Sequence, residues 1–360
     1  MKEEKMTKLS DRQWKEFWLS GNDGIFNLKA TSSGIDGNKL HPGEGLIPYI
    51  SRSNNVNGIN SFVTSNQASK YKMDDGKCIS IGLDTQTVFF QPHKFYTGQN
   101  IQVLRRTNLT ENKALFFIQS VLAQMNKFNW GGNGATLGRL RRTKIMLPVK
   151  DKGDPDYKFM ESFVEEIKSK KISEAVNFIT QNLRMLTYKN IPSLNDKEWK
   201  AFKISDLFTI ESGCDIYEKN RAEGKTPYIT SSASNNGIKY FVSNKNKTID
   251  TNAVSVNRNG SVGYAFYHKY PALYSNDCRK LKLKTSVNFQ NEAVYLFATT
   301  QIMQQKEKYN YCLKMGTGRL SSQRIMLPIN AKGHPDYEYM EQYIKNIMLK
   351  KYEEYLNFKA

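Results

Sequence analysis

The chain has 360 residues, and its 53 lysines and arginines against 34 aspartates and glutamates give a formal net charge of +19. This excess favours a polyanionic partner, because each phosphate that a cation neutralises releases counterions. Four cysteines without a CxxC pair and only four histidines exclude a recognisable zinc cluster and suit a reducing compartment. Since neither an apolar signal segment nor a run of about 20 apolar residues is present, we expect a soluble, cytoplasmic protein with no membrane association.

The first predicted element begins at Leu9-Ser-Asp-Arg-Gln-Trp-Lys-Glu-Phe17. A similar segment, Leu194-Asn-Asp-Lys-Glu-Trp-Lys-Ala-Phe202, occurs 185 residues later. Large aromatic residues in short polar segments are most simply buried anchors. Their recurrence marks the starts of two related domains.

Short strands and turns follow in each half of the chain. Asn57-Gly58 and Asn236-Gly237 each lie between apolar runs, a pattern that predicts a hairpin turn. Further strands are predicted over residues 78–83, 101–105, 253–257 and 280–283. Helices are predicted over residues 110–127, with Thr110 as the N-cap, and over residues 291–308. Each half is therefore a mixed α+β domain of roughly 140 residues.

A block at the end of each half carries the strongest repeat. Of the 20 positions from Lys144 to Phe163, 11 are identical 180 residues later, and Gly138-Arg-Leu140 recurs as Gly318-Arg-Leu320 at the same offset. The run Ile-Met-Leu-Pro predicts the last strand of a sheet. We expect Pro155 and Pro335 in the first turn of a helix, with Asp154 as the first N-cap and His334 as a poorer second one. The chain is thus two copies of one unit.

Apolar residues at mostly 4,3 spacing follow each block and predict two long helices. The first stripe covers about 30 residues, a helix of roughly 45–50 Å. It consists of Met160, Val164, Ile167, Ile172, Val176, Ile179, Leu183 and Leu186, and the second of Met340, Ile344, Ile347 and Leu356. Two such helices in one chain favour packing on each other as a spacer.

Patterns typical of enzymes are weak in this sequence. Pro155-Asp156 with Glu166-Ile-Lys168 matches the PD…(D/E)xK pattern of metal-dependent nucleases, but both carboxylates are predicted on one helix. The second copy reads Asn346-Ile-Met348 instead, and there is no P-loop, dinucleotide-binding or adenine-methylation motif. We therefore expect no catalytic residue and no metal ligand in this chain.

Side chains suited to base edges and phosphates occur in both halves, in polar loops and in arginine-rich segments. The candidate DNA-binding residues are Ser51, Arg52, Asn54, Asn55, Arg105, Arg106, Arg139, Arg141, Arg142, Ser232, Asn235, Asn236, Arg258, Asn259, Arg279, Lys280, Arg319 and Arg324.

The order of domain, long helix, related domain and second helix resembles the specificity (S) subunits of type I restriction–modification systems, and more closely those of type IIB-like systems. Three sets of residues carry this resemblance over nearly the whole chain. They are Trp-Lys-x-Phe at each domain start, Pro-Tyr-Ile-[Ser/Thr] with Asn-Gly-Ile, and Ile-Met-Leu-Pro…Gly-x-Pro-Asp…Met-Glu at each exit.

The resemblance implies an α+β fold with two mixed α/β target-recognition domains, residues 9–150 and 194–330. Long antiparallel coiled-coil spacer helices would occupy residues 151–193 and 331–360. It implies a non-catalytic subunit that reads a bipartite, asymmetric site in double-stranded DNA. Its partners would be two methyltransferase, or fused methyltransferase–endonuclease, subunits. S-adenosylmethionine, and Mg²⁺ if restriction occurs, are expected in those partners. The expected partner-binding residues are Ile172, Val176, Ile179, Leu183, Ile344 and Ile347.

Two alternatives remain open from the sequence. A stand-alone metal-dependent DNA nuclease would show Mg²⁺-dependent cleavage by the chain alone. A non-catalytic coiled-coil scaffold without specific DNA binding would show an affinity for DNA that does not depend on salt concentration.

Overall fold

The computed structural model describes residues 8–41, 43–54, 56–129, 132–287, 289–310 and 312–359. The chain divides into two compact units, Met1–Ala175 and Val176–Ala360, and the boundary lies inside a long helix. Within the described ranges, no helix combines the length and the apolarity that spanning a bilayer requires.

The first unit contains three sheets. Strands β2, β8, β5 and β6 form an antiparallel sheet in that order, β4, β3 and β7 form a smaller sheet, and β1 pairs with β9. Its strands are β1 Gln13–Trp18, β2 Asn27–Ala30, β3 Ile47–Ile50, β4 Ile59–Val63, β5 Cys78–Gly82, β6 Val88–Gln91, β7 Tyr96–Thr97, β8 Ile101–Arg105 and β9 Lys144–Val149, and its helices are α1 Glu111–Met125, α2 Leu137–Arg141 and the first part of α3 Tyr157–Leu183.

The second unit repeats this topology strand for strand. Its sheets have the orders β11-β17-β14-β15, β13-β12-β16 and β10-β18. Its strands are β10 Trp199–Lys203, β11 Phe208–Ser212, β12 Glu223–Ile229, β13 Ile238–Val242, β14 Ala253–Asn257, β15 Ala265–His268, β16 Leu273–Tyr274, β17 Cys278–Leu283 and β18 Arg324–Pro328, and its helices are α4 Ile204–Leu207, α5 Glu292–Met303, α6 Thr317–Ser322 and α7 Tyr337–Lys359.

The predicted strands and helices agree with these elements to within a few residues. Strands β8 and β14 have the predicted bounds, and Thr110 caps α1 by accepting a hydrogen bond from the backbone N–H of Lys113. The helix predicted over 291–308 ends at Met303, and a separate 3-10 turn follows at Lys306–Lys308. The polar run after Met303 offers no apolar face that could continue the helix.

A two-stranded ribbon closes each unit by joining its start to its end. In the first unit Trp14 lies opposite Pro148, and in the second Trp199 lies opposite Pro328. Both tryptophans are half-buried and stack on a phenylalanine of the main helix, Trp14 on Phe116 at 6.2 Å and Trp199 on Phe297 at 6.1 Å. These tryptophans anchor the two starts as predicted, although they are half-buried and not fully buried as expected.

The helix that leaves each unit is capped differently from the prediction. Asp156 accepts a hydrogen bond from the backbone N–H of Phe159, and Asp336 accepts one from that of Tyr339, both at 3.1 Å. Asp154 and His334 are therefore not the caps. Pro155 and Pro335 bridge back to the preceding strand and lie outside the helices, because the chain turns only after that bridge.

Helix α3 is also shorter than predicted, since it ends at Leu183 after 27 residues, about 40 Å. Two amide side chains of α7 bind the backbone that follows α3. Gln342 donates to the carbonyl of Thr187 and Asn346 to that of Lys189, each at 2.8 Å. These carbonyls are satisfied by α7 instead of by further helix turns.

A buried polar pair at the same register differs between the two equivalent sheets. In the first unit Gln91 donates to the Ser80 hydroxyl at 3.0 Å. At the same register of the second unit, His268 Nε2 lies 2.9 Å from the Ser255 hydroxyl. Burial lowers the pKa of His268 from 6.5 to about 4.

Acid should therefore destabilise the second unit through His268. Between pH 6.5 and 4 the unfolded state binds a proton that the folded state does not. The free energy of unfolding keeps its full value above about pH 6.5, and it decreases towards pH 4 by roughly 3 kcal/mol at most. Thermal unfolding followed from pH 7.5 to 4.5 measures this loss. His268→Gln installs the pair of the first unit and should remove this component. An unchanged pH dependence in that variant would exclude His268 as its source.

Candidate nucleic-acid interface

Three loops meet at one end of the sheets in the first unit, and we name them the first loop surface. They are the β3–β4 loop, the β5–β6 turn and the segment before α2. Arg52 of the β3–β4 loop forms an ion pair with Asp84 of the β5–β6 turn. The backbone N–H of Ala135 donates to the carbonyl of Leu83 at 3.3 Å, which ties the third segment to that turn.

The equivalent loops meet in the second unit and form the second loop surface. Asn257 donates its side-chain amide to the carbonyl of Ser232 at 3.0 Å, and the N–H of Ser261 donates to that of Ser231 at 3.4 Å. A shallow groove of about 400 Å³ separates the β14–β15 turn from the segment before α6. It is lined by Arg258, Lys314, Gly316, Gly318 and Arg319.

The β3–β4 and β12–β13 loops share one backbone conformation. Asn57 and Gly58 have φ values of 57° and 79°, and Asn236 and Gly237 have 52° and 75°. This left-handed geometry favours asparagine and glycine, which explains the repeated Asn-Gly. Side chains elsewhere in the loops differ, since Arg52 and Asn54 correspond to Ser231 and Ala233. The two units therefore present different chemistry on one scaffold.

The repeated Gly-Arg-Leu segment holds the third loop in place. Arg139 donates to the carbonyls of Gly132 and Gly134, each at 3.0 Å, and Arg319 donates to that of Lys314 at 2.8 Å. These arginines were predicted to bind DNA, and the structure gives them a positioning role within each loop surface. Arg319 is also exposed to the groove of the second loop surface.

Asp277 positions the turn that carries Arg258 and Asn259. Its carboxylate accepts from Arg258 at 3.5 Å and from the Asn259 amide at 3.3 Å. Arg258 Nε and Asn259 Oδ1 are buried and make no hydrogen bond to the described residues. Buried polar atoms normally have partners, so this turn contains one unsatisfied donor and one unsatisfied acceptor within the described residues.

Two of the predicted DNA-binding cations are buried, which contradicts their prediction. Arg279 is 6% exposed and donates to the Thr317 hydroxyl at 2.6 Å, and burial lowers its pKa. Lys280 is 4% exposed and pairs with Glu211 at 2.8 Å and Asp250 at 2.9 Å. Although burial lowers the pKa of Lys280, hydrogen bonds to both carboxylates raise it overall. Neither side chain can reach a phosphate.

The other predicted residues fall into three groups. Ser51, Asn54, Asn235 and Asn236 lie on the two loop surfaces, and Asn55 lies outside the described residues. Arg105, Arg106 and Arg141 line a separate groove of about 880 Å³ in the first unit. Arg142 is exposed after α2, whereas Arg324 lies on β18 and donates to the carbonyl of Ala201 at 3.3 Å.

Four further polar residues of these sites were missed by sequence reasoning: Lys77, Asp84, Asp277 and Lys314. Each lies next to a strand end or a glycine-containing segment, so its position depended on the strand register. Asp84 and Asp277 were overlooked because a DNA-binding surface was expected to carry only cations and neutral groups.

The nuclease-like pattern does not converge on one point. Asp156 caps α3, and Glu166 lies ten positions further along, a rise of about 15 Å. Lys168 pairs with Glu111 at 3.2 Å. In the described part of the chain, no group of three His, Cys, Asp or Glu side chains is placed to hold a metal ion.

The predicted partner-binding residues differ in accessibility. Ile179 is buried, Ile344 packs on the core of the second unit, and Ile347 is 40% exposed on α7. Ile172, Val176 and Leu183 are half-buried on α3. Ile167 occupies on α3 the position that Ile347 has on α7, and it is 37% exposed.

Comparisons with known proteins cover both units. Residues 14–177 and 196–356 each match the type I restriction modification DNA specificity domain. The chain is 36% identical over 315 residues to the specificity subunit S.BcgI of a type II restriction enzyme from Heyndrickxia coagulans, covering 86% of this chain and 88% of that protein. The crystal structure of a type I restriction–modification S subunit from M. genitalium is 16% identical with a TM-score of 0.48, covering 98% and 94% of the two chains. The HsdS subunit from Thermoanaerobacter tengcongensis is 10% identical with a TM-score of 0.33, covering 96% and 92%. The two family matches coincide with the two copies of the internal repeat.

Lys280 is buried whereas Arg258 is half-buried and lines the groove, so their substitutions should have opposite effects. Lys280→Met should destabilise the second unit by roughly 2–3 kcal/mol, because Asp250 stays largely buried with one partner fewer. Arg258→Gln should leave the melting temperature nearly unchanged and weaken DNA binding roughly tenfold. Thermal unfolding and DNA titration of both variants measure the difference. If Lys280→Met lowered the affinity for DNA and left the melting temperature unchanged, Lys280 would belong to the DNA interface as first predicted.

Proposed function

We propose that this chain, which belongs to the type I restriction–modification DNA specificity family and is a specificity subunit of a restriction–modification system, reads duplex DNA through its two loop surfaces. The observation that carries the proposal is the repeated loop scaffold with different side chains in each unit. Because the scaffolds match and the side chains differ, each unit would read a different half of a bipartite, asymmetric site.

The chemistry of the loop surfaces suits base edges. Arg52, Asn54 and Asn235 carry the guanidinium and amide groups that form paired hydrogen bonds with guanine and adenine. Arg258 adds a half-buried guanidinium that lines the groove of the second loop surface. Asp84 and Asp277 hold the arginines in fixed directions, which reduces the entropy lost on binding.

We propose that catalysis belongs to partner subunits. A methyltransferase, or a fused methyltransferase–endonuclease, would bind S-adenosylmethionine and any Mg²⁺, while this chain selects the sequence. The separation of Asp156 from Glu166 along one helix supports this view over a stand-alone nuclease, because one cation requires convergent carboxylates. The matched loop surfaces support it over a scaffold without specific DNA binding.

Helices α3 and α7 are the proposed spacers and partner-binding elements. Their apolar stripes suit an antiparallel coiled coil, with Ile172, Val176 and Leu183 in its seam. Ile167 and Ile347 stay exposed at equivalent positions, and exposed apolar residues that recur on a repeat suit a protein partner. Two equivalent positions would recruit two identical methyltransferase subunits.

Exchanging loop residues should change one half of the recognised site at a time. Arg52→Ser with Asn54→Ala gives the first loop surface the residues of the second. It should relax one half-site, with a loss of about 1–3 kcal/mol of discrimination for each base that is no longer read. The reciprocal change Ala233→Asn should alter only the other half-site. Sequencing of methylated motifs, produced by each variant with its methyltransferase partner, measures both effects.

The unsubstituted half-site is the internal control in each of these experiments. A single unbroken motif, or a change in both halves from one loop, would contradict two independent readers. Methylation that keeps its wild-type motif in both variants would remove these loops from recognition.

Adding charge at the exposed spacer positions should block assembly with the methyltransferase. Ile167→Asp with Ile347→Asp should weaken association at least tenfold, because each interface would bury an unpaired carboxylate. Light scattering of the mixed subunits measures the mass of the complex. Asn177→Asp with Asn357→Asp adds the same charge at exposed polar positions of the same helices and should assemble normally. Equal assembly of both double variants would place the partner surface elsewhere.

A further inference from the structure

The groove in the first unit is positively charged and lies away from the first loop surface. Four cations line it, Lys77, Arg105, Arg106 and Arg141, and its lining contains no carboxylate. Lys77 precedes β5 and Arg105 ends β8, whereas the β5–β6 turn of the first loop surface follows β5. The groove and that surface therefore lie at opposite ends of the four-stranded sheet.

Backbone carbonyls fix the two central arginines. Arg105 donates to the carbonyls of Asp75 at 2.7 Å and Gly76 at 3.1 Å. Arg106 donates to the carbonyl of Ile25 at 2.8 Å and lies 4.2 Å from the centre of the Tyr157 ring. Within the described residues neither guanidinium is paired with a carboxylate. Their charge is oriented but not neutralised, which is the arrangement that attracts an anion.

The second unit does not keep the cations of this groove although its sheet is equivalent. By strand register, Lys77 corresponds to Asn252, Arg105 to Lys282 and Arg106 to Leu283. Lys282 is paired with Asp250 at 2.7 Å. The repeat also places Ser321 at the position of Arg141. Of the four positions that carry the cations of the groove, the second unit keeps a cation at one, Lys282, where Asp250 neutralises it, while Lys284 stands at the position of Thr107.

A short insertion builds one wall of the groove. Leu19 and Ile204 occupy equivalent positions, because each donates its N–H to the residue before the closing strand. The first unit then uses a glycine turn to reach β2, where the second uses the helical turn α4. A Cβ on Gly24 would lie 2.4 Å from the backbone of Ser20, so only glycine permits this turn.

We propose that the first unit carries a phosphate clamp, a groove that binds the DNA backbone independently of sequence beside the half-site that this unit reads. The clamp rests on the proposed function and adds an interaction with DNA for which the second unit lacks three of the four cations. The two ends of β5 are separated by up to about 20 Å, so the clamp would lie within about six base pairs of the reading loops. DNA is favoured over an acidic protein segment because the groove is wide and open and its cations include two immobilised arginines suited to phosphate.

The clamp can be tested by removing its two exposed cations, which form no ion pair with described residues. Lys77→Gln with Arg141→Gln should lower the slope of log affinity against log salt by about 0.9 for each phosphate that is no longer neutralised. The decrease in affinity should be equal for a duplex carrying the methylated motif and for a scrambled duplex. Lys152→Gln with Lys158→Gln removes the same charge from exposed positions of the first unit outside the groove and should change the slope much less.

Shortening the duplex locates the clamp on the DNA. We expect the affinity of the full chain to fall roughly tenfold when about ten base pairs of flank are removed from the side of the first unit, and little when they are removed from the other side. The loop-exchange variants show which half-site the first unit reads, and therefore which flank of the duplex lies on its side. The double variant should be insensitive to both truncations, because its clamp no longer engages the flank.

Each outcome decides between specific alternatives. Equal slopes for the groove and control variants, or equal sensitivity to both truncations, would overturn the clamp while leaving motif recognition intact. Unchanged DNA binding together with failed methyltransferase association in the groove variant would assign the groove to an acidic protein segment instead. If the wild-type chain bound no duplex at any salt concentration, the proposed function itself would fail.

Discussion

One carboxylate at the exit of each unit connects its start, its closing ribbon and its long helix. Asp156 and Asp336 cap their helices, and the backbone N–H of each donates to the carbonyl of the proline in the closing strand, at 2.8 Å. The same carboxylates pair with a cation from the start of the unit, Arg12 at 3.7 Å and Lys197 at 2.8 Å. Because one residue serves three elements, the direction in which each helix leaves its unit is fixed by the strand pairing. The Pro-Asp-Tyr block repeats for this reason.

The two copies of the repeat share the residues that maintain the loop conformation and differ in the exposed residues that are accessible to a ligand. The left-handed Asn-Gly turns and the arginines that bind loop carbonyls recur in both units, since each satisfies a backbone requirement of its loop. Asn54 and Ala233, by contrast, are exposed at equivalent positions and differ. Substitutions at exposed loop positions cost little stability. A protein built in this way can change what it reads without changing how it folds.

The sequence was sufficient to predict the positions of strands and helices, but not to predict which charged side chains are buried in ion pairs. Strand and helix positions follow from local apolar patterns, so β8 and β14 could be predicted to the residue. The helix caps were missed by two positions, because the bridge that keeps Pro155 outside α3 is a tertiary contact. Lys280 was misplaced for a related reason. Its partners Glu211 and Asp250 lie on distant segments, and only the folded sheet shows that they surround it.

The net charge therefore indicated a polyanionic partner, but it did not indicate which surface of the molecule would bind that partner. Asp250 pairs with Lys280 and Lys282 of the second unit. Within the described residues, Arg105 and Arg106 of the first unit are held by backbone carbonyls and, for Arg106, by the Tyr157 ring. An ion pair within the protein offsets the charge that would attract a phosphate, whereas an arginine held by carbonyls keeps its full charge for a ligand. Under the proposed function, the two units, similar in fold, would be unequal in electrostatic attraction for DNA. Affinity and base selectivity would then depend partly on different residues, so a change in the loop surfaces would alter the recognised bases without removing the attraction that the groove of the first unit provides.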